Sequence, residues 1–192
     1  MPQVTQALIG ANVLVYLLQL ATGDALFGRF ALWPLGPQFG PWQPLTYAFL
    51  HASFFHLFFN MLGLYMFGAD LERVWGPRRY LVYYAVCVLA AAIAQLGVAL
   101  LSGSGAPTLG ASGGVFGLLL AFALYFPQRT VLLIFPPIPM PAWLFATLYG
   151  ALELVLGVTG TAAGVAHFAH LGGMVGGYLL IRSWRSRRGL WS

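Results

Sequence analysis

The chain has no lysine and little charge of either sign: of its 192 residues, nine are arginine, four are acidic, and charged residues amount to 7%. Soluble domains carry about a quarter, so a water-facing surface cannot be assembled from this composition. Cysteine is equally scarce. Cys87 stands alone, which excludes an internal disulfide, and its place inside an apolar run suits a small core side chain. A His-Glu-x-x-His element is absent too, which argues against a zinc protease. The formal net charge of +5 does not point to nucleic acid, because the arginines sit at the ends of apolar runs and in the tail rather than on one basic face.

What is present is hydrophobe, 60% of the chain. Apolar runs punctuated by Gly, Pro and Arg predict six helices, over Thr5 to Ala21, Ser53 to Phe67, Tyr80 to Leu101, Ser112 to Phe126, Ala142 to Val158 and Val165 to Trp184. The expected fold class is all-α, a polytopic six-transmembrane-helix bundle embedded in a lipid bilayer, with residues 1–192 as one domain. The first run lacks a positively charged leading region and precedes further spans, so it reads as a retained helix rather than a signal peptide, and no soluble domain is expected beside it. Arg73, Arg78, Arg79, Arg129, Arg182, Arg185, Arg187 and Arg188 fall on one side of the bundle and Arg29 on the other. Positive residues collect on the cytoplasmic side, which predicts that both termini are cytoplasmic. The expected location is a bacterial cytoplasmic membrane.

This orientation gathers the polar residues. His51, His56 and Asn60 open the second run, Ser112 the fourth, and His167 and His170 the sixth, so all converge at the outer level. The run from Ser112 to Phe126 is about 22 Å long at ~1.5 Å per residue, too short for a hydrocarbon core of ~30 Å. Ser112 is therefore expected below the outer surface, in a wet depression, with a helix N-terminus aimed at any oxyanion formed beside it. Glycines on runs four and six let the two helices approach closely enough to bring His170 to Ser112. A nucleophile and a base at one depth suggest hydrolysis within the bilayer.

No carboxylate is expected beside that base. Asp24 lies in the first loop, Asp70 and Glu72 at the inner end of run two, and Glu153 partway along run five, remote in depth. A Ser-His pair is thus expected rather than a triad. His56 and Asn60, four apart on one helical face, can offer side-chain donors to an oxyanion. His167 could line the cavity, bond a loop or bind metal, with a structural role favoured; His51 is expected to cap the cavity or bond neighbouring helix ends. Two other classes fit the same residues: a metal or haem protein using His51, His56, His167 and His170 as ligands, and a noncatalytic binder of transmembrane helices.

Gly110-x-Ser112-Gly113 with Gly117, the Ala169-His170-x-x-Gly173-x-x-x-Gly177 run, and His51 with His56 and Asn60 together resemble the rhomboid family of intramembrane serine proteases, in order and over nearly the whole chain. The resemblance implies a six-helix core, Ser112 as nucleophile, His170 as general base, and His56, Asn60 and the Ser112 backbone N–H as oxyanion donors. It implies Phe116 packed on the His170 ring, transmembrane proteins as substrates, and no metal or other cofactor. Gly68, Glu72 and Gly76 are similar to a family element that closes run two, with Glu72 structural. The family often has Trp-Arg in the first loop where this chain has Trp42-Gln43, which removes a guanidinium anchor; Trp33 and Trp42 among Pro34, Pro37, Pro41 and Pro44 still suit a rigid loop at the headgroup level.

Overall fold

Each predicted apolar run is helical in the computed structural model, which describes residues 1–132, 137–160 and 166–188. Helix α1 is Gln3–Thr22, followed by a short α2, Asp24–Phe30, and by α3, Gln43–Thr46. The second run is longer than expected. Helix α4, Phe54–Gly63, continues through a π-turn, Leu64–Gly68, into α5, Ala69–Trp75, instead of ending near Phe67. The charges that suggested an end there are all engaged: Glu72 takes up the N-terminus of α1, and Asp70 pairs with Arg73 at 2.6 Å and Arg129 at 3.5 Å. Helices α6, Pro77–Ser102, α7, Ser112–Tyr125, α8, Ala142–Thr159, and α9, His167–Arg188, complete the bundle. The start of the sixth predicted run, Val165, lies outside the described residues, and its end extends beyond Trp184.

Four stretches, Gln3–Thr22, Phe54–Trp75, Pro77–Ser102 and Ala142–Thr159, are long and apolar enough to cross a membrane, while Ser112–Tyr125 is apolar but shorter. Side chains facing outward from them, such as Leu17, Phe55, Ile93 and Val158, are exposed hydrophobes, as a lipid-facing surface requires. A small antiparallel hairpin, β1 (Thr130–Leu132) with β2 (Pro139–Pro141), joins α7 to α8 and was not anticipated.

The short α7 sits innermost, packed against α6, α8, α9 and the π-turn. Its contact with α9 is set by backbone: a methyl group added at Gly173 would overlap the Gly113 carbonyl, so only glycine allows this approach. Tyr83, fully buried, donates from its hydroxyl to the Gly117 carbonyl at 2.8 Å, and Tyr47 does the same to Val88 at 2.9 Å. Both bonds satisfy polar atoms where no water reaches. At the arginine-rich end, Arg79 lies 5.0 Å over the Trp184 ring and Arg185 5.9 Å over Tyr125, a rim of cation–π contacts around the helix ends.

The first loop is folded rather than loose. Leu32 and Thr108 exchange two main-chain bonds of 2.9 Å, and Gly110 N–H donates to the Tyr47 carbonyl at 2.9 Å. Gln43, buried where the family often has arginine, accepts from Trp33 N–H at 3.1 Å and donates to the Gln38 and Arg29 carbonyls. An uncharged amide thus ties the first loop together where the loss of a guanidinium anchor was expected. These contacts tie the first loop to the segment leading into Ser112.

Candidate active site

Ser112 is the first residue of α7, and its side chain faces the start of α9. His170 Nε2 lies 2.7 Å from Ser112 Oγ. The first main-chain bond of α7 runs from Val115 N–H to Ala111 at 3.0 Å, so the N–H groups of Ser112, Gly113 and Gly114 have no helical acceptor and the positive end of the helix is turned toward the serine. The Phe116 ring, one turn on, stacks on the His170 imidazole at 4.3 Å between centroids and 4° between planes.

His56 reaches the same spot from α4. Its Nδ1 accepts from Ala52 N–H at 3.3 Å, and since a main-chain amide can only donate, the ring proton is on Nε2. Gly110 has φ +123°, a conformation that side-chain-bearing residues rarely adopt. A Cβ there would fall 2.8 Å from His56 Nε2 and 3.7 Å from Ser112 Oγ. Glycine thus keeps open the space where the His56 donor and the serine oxygen meet. Asn60 is buried, donates to the His56 carbonyl at 2.8 Å and has a second amide hydrogen to offer. His56, Asn60, Ser112, Phe116 and His170 all line one cavity of about 830 Å³, whose other walls are mainly apolar residues of α4, α7, α8 and β1.

His51 is placed differently. Its ring sits 5.1 Å from the His56 ring, edge to face, and neither ring nitrogen has a partner among the described residues. Its main chain, not its imidazole, ties the helix ends, with His51 N–H donating to Gln19 Oε1 at 3.0 Å. Burial, with the neighbouring His56 ring adding to it, pushes the His51 imidazole from 6.5 down to about 4. His51 is neutral at ordinary pH.

The carboxylate expected to be remote is at the site. Glu153 Oε2 lies 2.6 Å from His167 Nδ1 and 2.9 Å from His170 Nδ1, and all three side chains are buried. Depth was misjudged from position along the run. Glu153 is six residues before the last residue of α8, about 9 Å at 1.5 Å per residue, while His170 lies one turn into α9, where it meets Ser112. The end of α8 also crosses close to α9, where a methyl group on Gly157 would sit 3.1–3.2 Å from the Phe168 ring and His167 Cβ.

Glu153, His167 and His170 offer ligand atoms within 4.8 Å of one another, the group of described residues best able to hold a metal. Donors around a tetrahedral zinc at 2.0–2.1 Å are about 3.3 Å apart. The 2.6 Å and 2.9 Å separations are shorter than that and are those of polar groups in direct contact with no ion between them. His51 and His56 lie apart from this group, so the four imidazoles do not converge on one ion.

A serine and an imidazole thus lie in contact at the head of the short α7, beside an apolar cavity. Comparison with known proteins gives the family. The Rhomboid domain model matches residues 38–186, and the chain belongs to the rhomboid family. It is similar to Rhomboid protein 1, mitochondrial, of Saccharomyces cerevisiae, at 32% identity over 90% of this chain and 51% of that protein. Rhomboid protease GlpG of Yersinia pestis is 27% identical over 91% of this chain and 60% of its own length. RHOMBOID-like protein 12, mitochondrial, of Arabidopsis thaliana is 32% identical over 67% of this chain and 42% of its own. The chain therefore spans about half the length of the curated relatives it matches, and it is an integral membrane protein.

Proposed function

We propose that this protein is an intramembrane serine endopeptidase that cleaves transmembrane segments of other membrane proteins, with Ser112 as nucleophile and His170 as general base. The observation that carries the reading is the 2.7 Å contact between Ser112 Oγ and His170 Nε2 at the head of α7. His170 Nε2 takes the serine proton as Oγ bonds to the scissile carbonyl carbon, and the carbonyl π pair moves onto oxygen. That oxyanion is held by His56 Nε2–H, Asn60 Nδ2–H and the Ser112 main-chain N–H. The C–N bond then breaks, the proton on Nε2 passes to the leaving amine, and water, activated by the same imidazole, releases the acyl product. Phe116 fixes the plane of the ring during both transfers.

The substrate must present an unwound bond, because a helix in lipid has its amides already bonded. Preferred substrates carry Gly, Pro and small residues near the outer face. The apolar cavity between α4 and α8 receives the segment. In this reading residues 1–192 act as one domain of six spans in a bacterial inner membrane, both termini cytoplasmic, as the arginine distribution supports. His51 and His167 support the site without touching substrate. The test is reconstitution in liposomes with a tagged transmembrane substrate carrying a Gly-Pro site near its outer end. Wild type is expected to release two fragments and Ser112→Ala none; cleavage by both, or by neither with substrate bound, would overturn the reading.

A further inference from the structure

We propose that Glu153 is a positioning residue for the reaction, completing a Ser112–His170–Glu153 relay in which His167 holds the carboxylate from its other side; this rests on the protease reading above. Four residues in the chain are acidic. Asp24 is exposed, Asp70 faces two arginines, and Glu72 caps α1. Glu153 is buried without the main-chain donors that satisfy Glu72: its partners among the described residues are two imidazoles. An ionised carboxylate at this depth costs several kcal/mol unless positive charge or donors face it. A leucine would fill the place without that cost, so packing does not explain the residue.

The chemistry of the donors fixes the tautomers. An ionised carboxylate only accepts, so Nδ1 of both His167 and His170 must carry the ring proton. His170 Nε2 is then bare, the form that can accept from Ser112 Oγ–H at 2.7 Å. When Nε2 takes that proton, the imidazolium forms with its other nitrogen 2.9 Å from Glu153 Oε2. The proton stays on Nδ1 and the carboxylate stays ionised, so nothing beyond the serine proton changes hands. In the resting structure His167 Nδ1 is hydrogen-bonded to this oxygen at 2.6 Å, whereas His170 Nδ1 approaches it to 2.9 Å without completing a hydrogen bond. His167 thus fixes the oxygen, and the His170 bond is completed as the ring charges, as catalytic bonds commonly are when substrate is in place. His167 Nε2 is buried without a partner among the described residues, which leaves the Glu153 bond as the one polar task of that side chain.

The test uses the full chain in liposomes with the same tagged substrate. Glu153→Gln keeps the volume and can still accept a ring N–H, so it removes charge while sparing the tautomer. It is expected to lower kcat by about 10²-fold, less than the ~10⁴ of a wrong-tautomer variant, with KM within about twofold and Tm unchanged. Glu153→Asp is expected to recover at least about tenfold of that loss. In ¹⁵N-histidine-labelled protein carrying the fluorophosphonate adduct on Ser112, with the His170 ring protonated, the His170 Nδ1 proton is expected far downfield when Glu153 is present and not in Glu153→Gln. A wild-type kcat in Glu153→Gln, with Ser112→Ala inactive, overturns this proposal alone, whereas turnover by Ser112→Ala overturns the protease reading beneath it. Should Glu153→Gln fold poorly, the downfield resonance in the folded wild-type adduct decides: its absence with the His170 ring protonated overturns the relay.

Discussion

Two glutamates are buried in this bundle, and their surroundings assign them opposite work. Glu72, in α5, accepts from Val4 N–H at 2.9 Å and from Thr5 N–H and Thr5 Oγ–H, both at 2.7 Å. Those donors hold their protons at any accessible pH, so the carboxylate can only pin the first turn of α1 to the end of α5. Glu153, in α8, faces two imidazoles, side chains that can relay a proton in a reaction. The same side chain is a clasp where its partners are amides and a hydroxyl, and in the relay proposed above it positions the base where they are histidines. Burial alone does not mark a functional carboxylate; the partner's proton does.

The largest effect expected on the chemical side is that of the serine. Ser112→Ala should reduce turnover by about 10⁴-fold or more while leaving Tm unchanged, because a hydroxyl at a helix head contributes little packing. Asn60→Ala should slow kcat by about 10²-fold, the loss of one oxyanion donor, with substrate binding retained; unchanged turnover at wild-type stability would remove Asn60 from the site. Glu72→Gln tests the other half of the comparison. Its amide turns a donor toward N–H groups that need an acceptor, so thermal unfolding in detergent should show a loss of about 2 kcal/mol with turnover within a few-fold of wild type. A fall in kcat at unchanged Tm would dissolve the distinction between the two glutamates.

The smallest effect is a pH dependence of stability from His51. Its folded value, about 4, lies below the ordinary 6.5, so between these the unfolded chain holds a proton that the folded one refuses. Stability contributed by the neutral ring is complete above about pH 6.5 and is lost as pH falls, amounting to about 1 kcal/mol near pH 6. Melting scans of wild type against His51→Asn should diverge below pH 6.5 and coincide above it. Parallel curves would mean that the ring is not desolvated.

Much of this was legible because local pattern carries it. Each of the long helices follows from an apolar run, whereas the short α2 and α3 do not, and Ser112, His170, His56 and Asn60 stand out because polar residues are rare in such runs. What was not legible depends on pairings between distant segments. The Leu32–Thr108 bridge, the packing of Gln43 under the first loop and the β1–β2 hairpin leave no periodic trace. The extension of the second run past Phe67 was hidden because its charges looked like an end, when in the fold each finds a partner. Glu153 was missed for a geometric reason: counting along one helix gives depth only if the site's own depth is known, and the short α7 had lowered it. The estimate that Ser112 is sunken contained that answer.

The most direct measurement is labelling with a fluorophosphonate, which bonds only to an activated hydroxyl, followed by mass mapping of the adduct. One adduct is expected in wild type, on Ser112, with none in Ser112→Ala or His170→Ala. An adduct that persists in Ser112→Ala, or that forms at full rate in His170→Ala, would contradict the pairing of that serine with that imidazole.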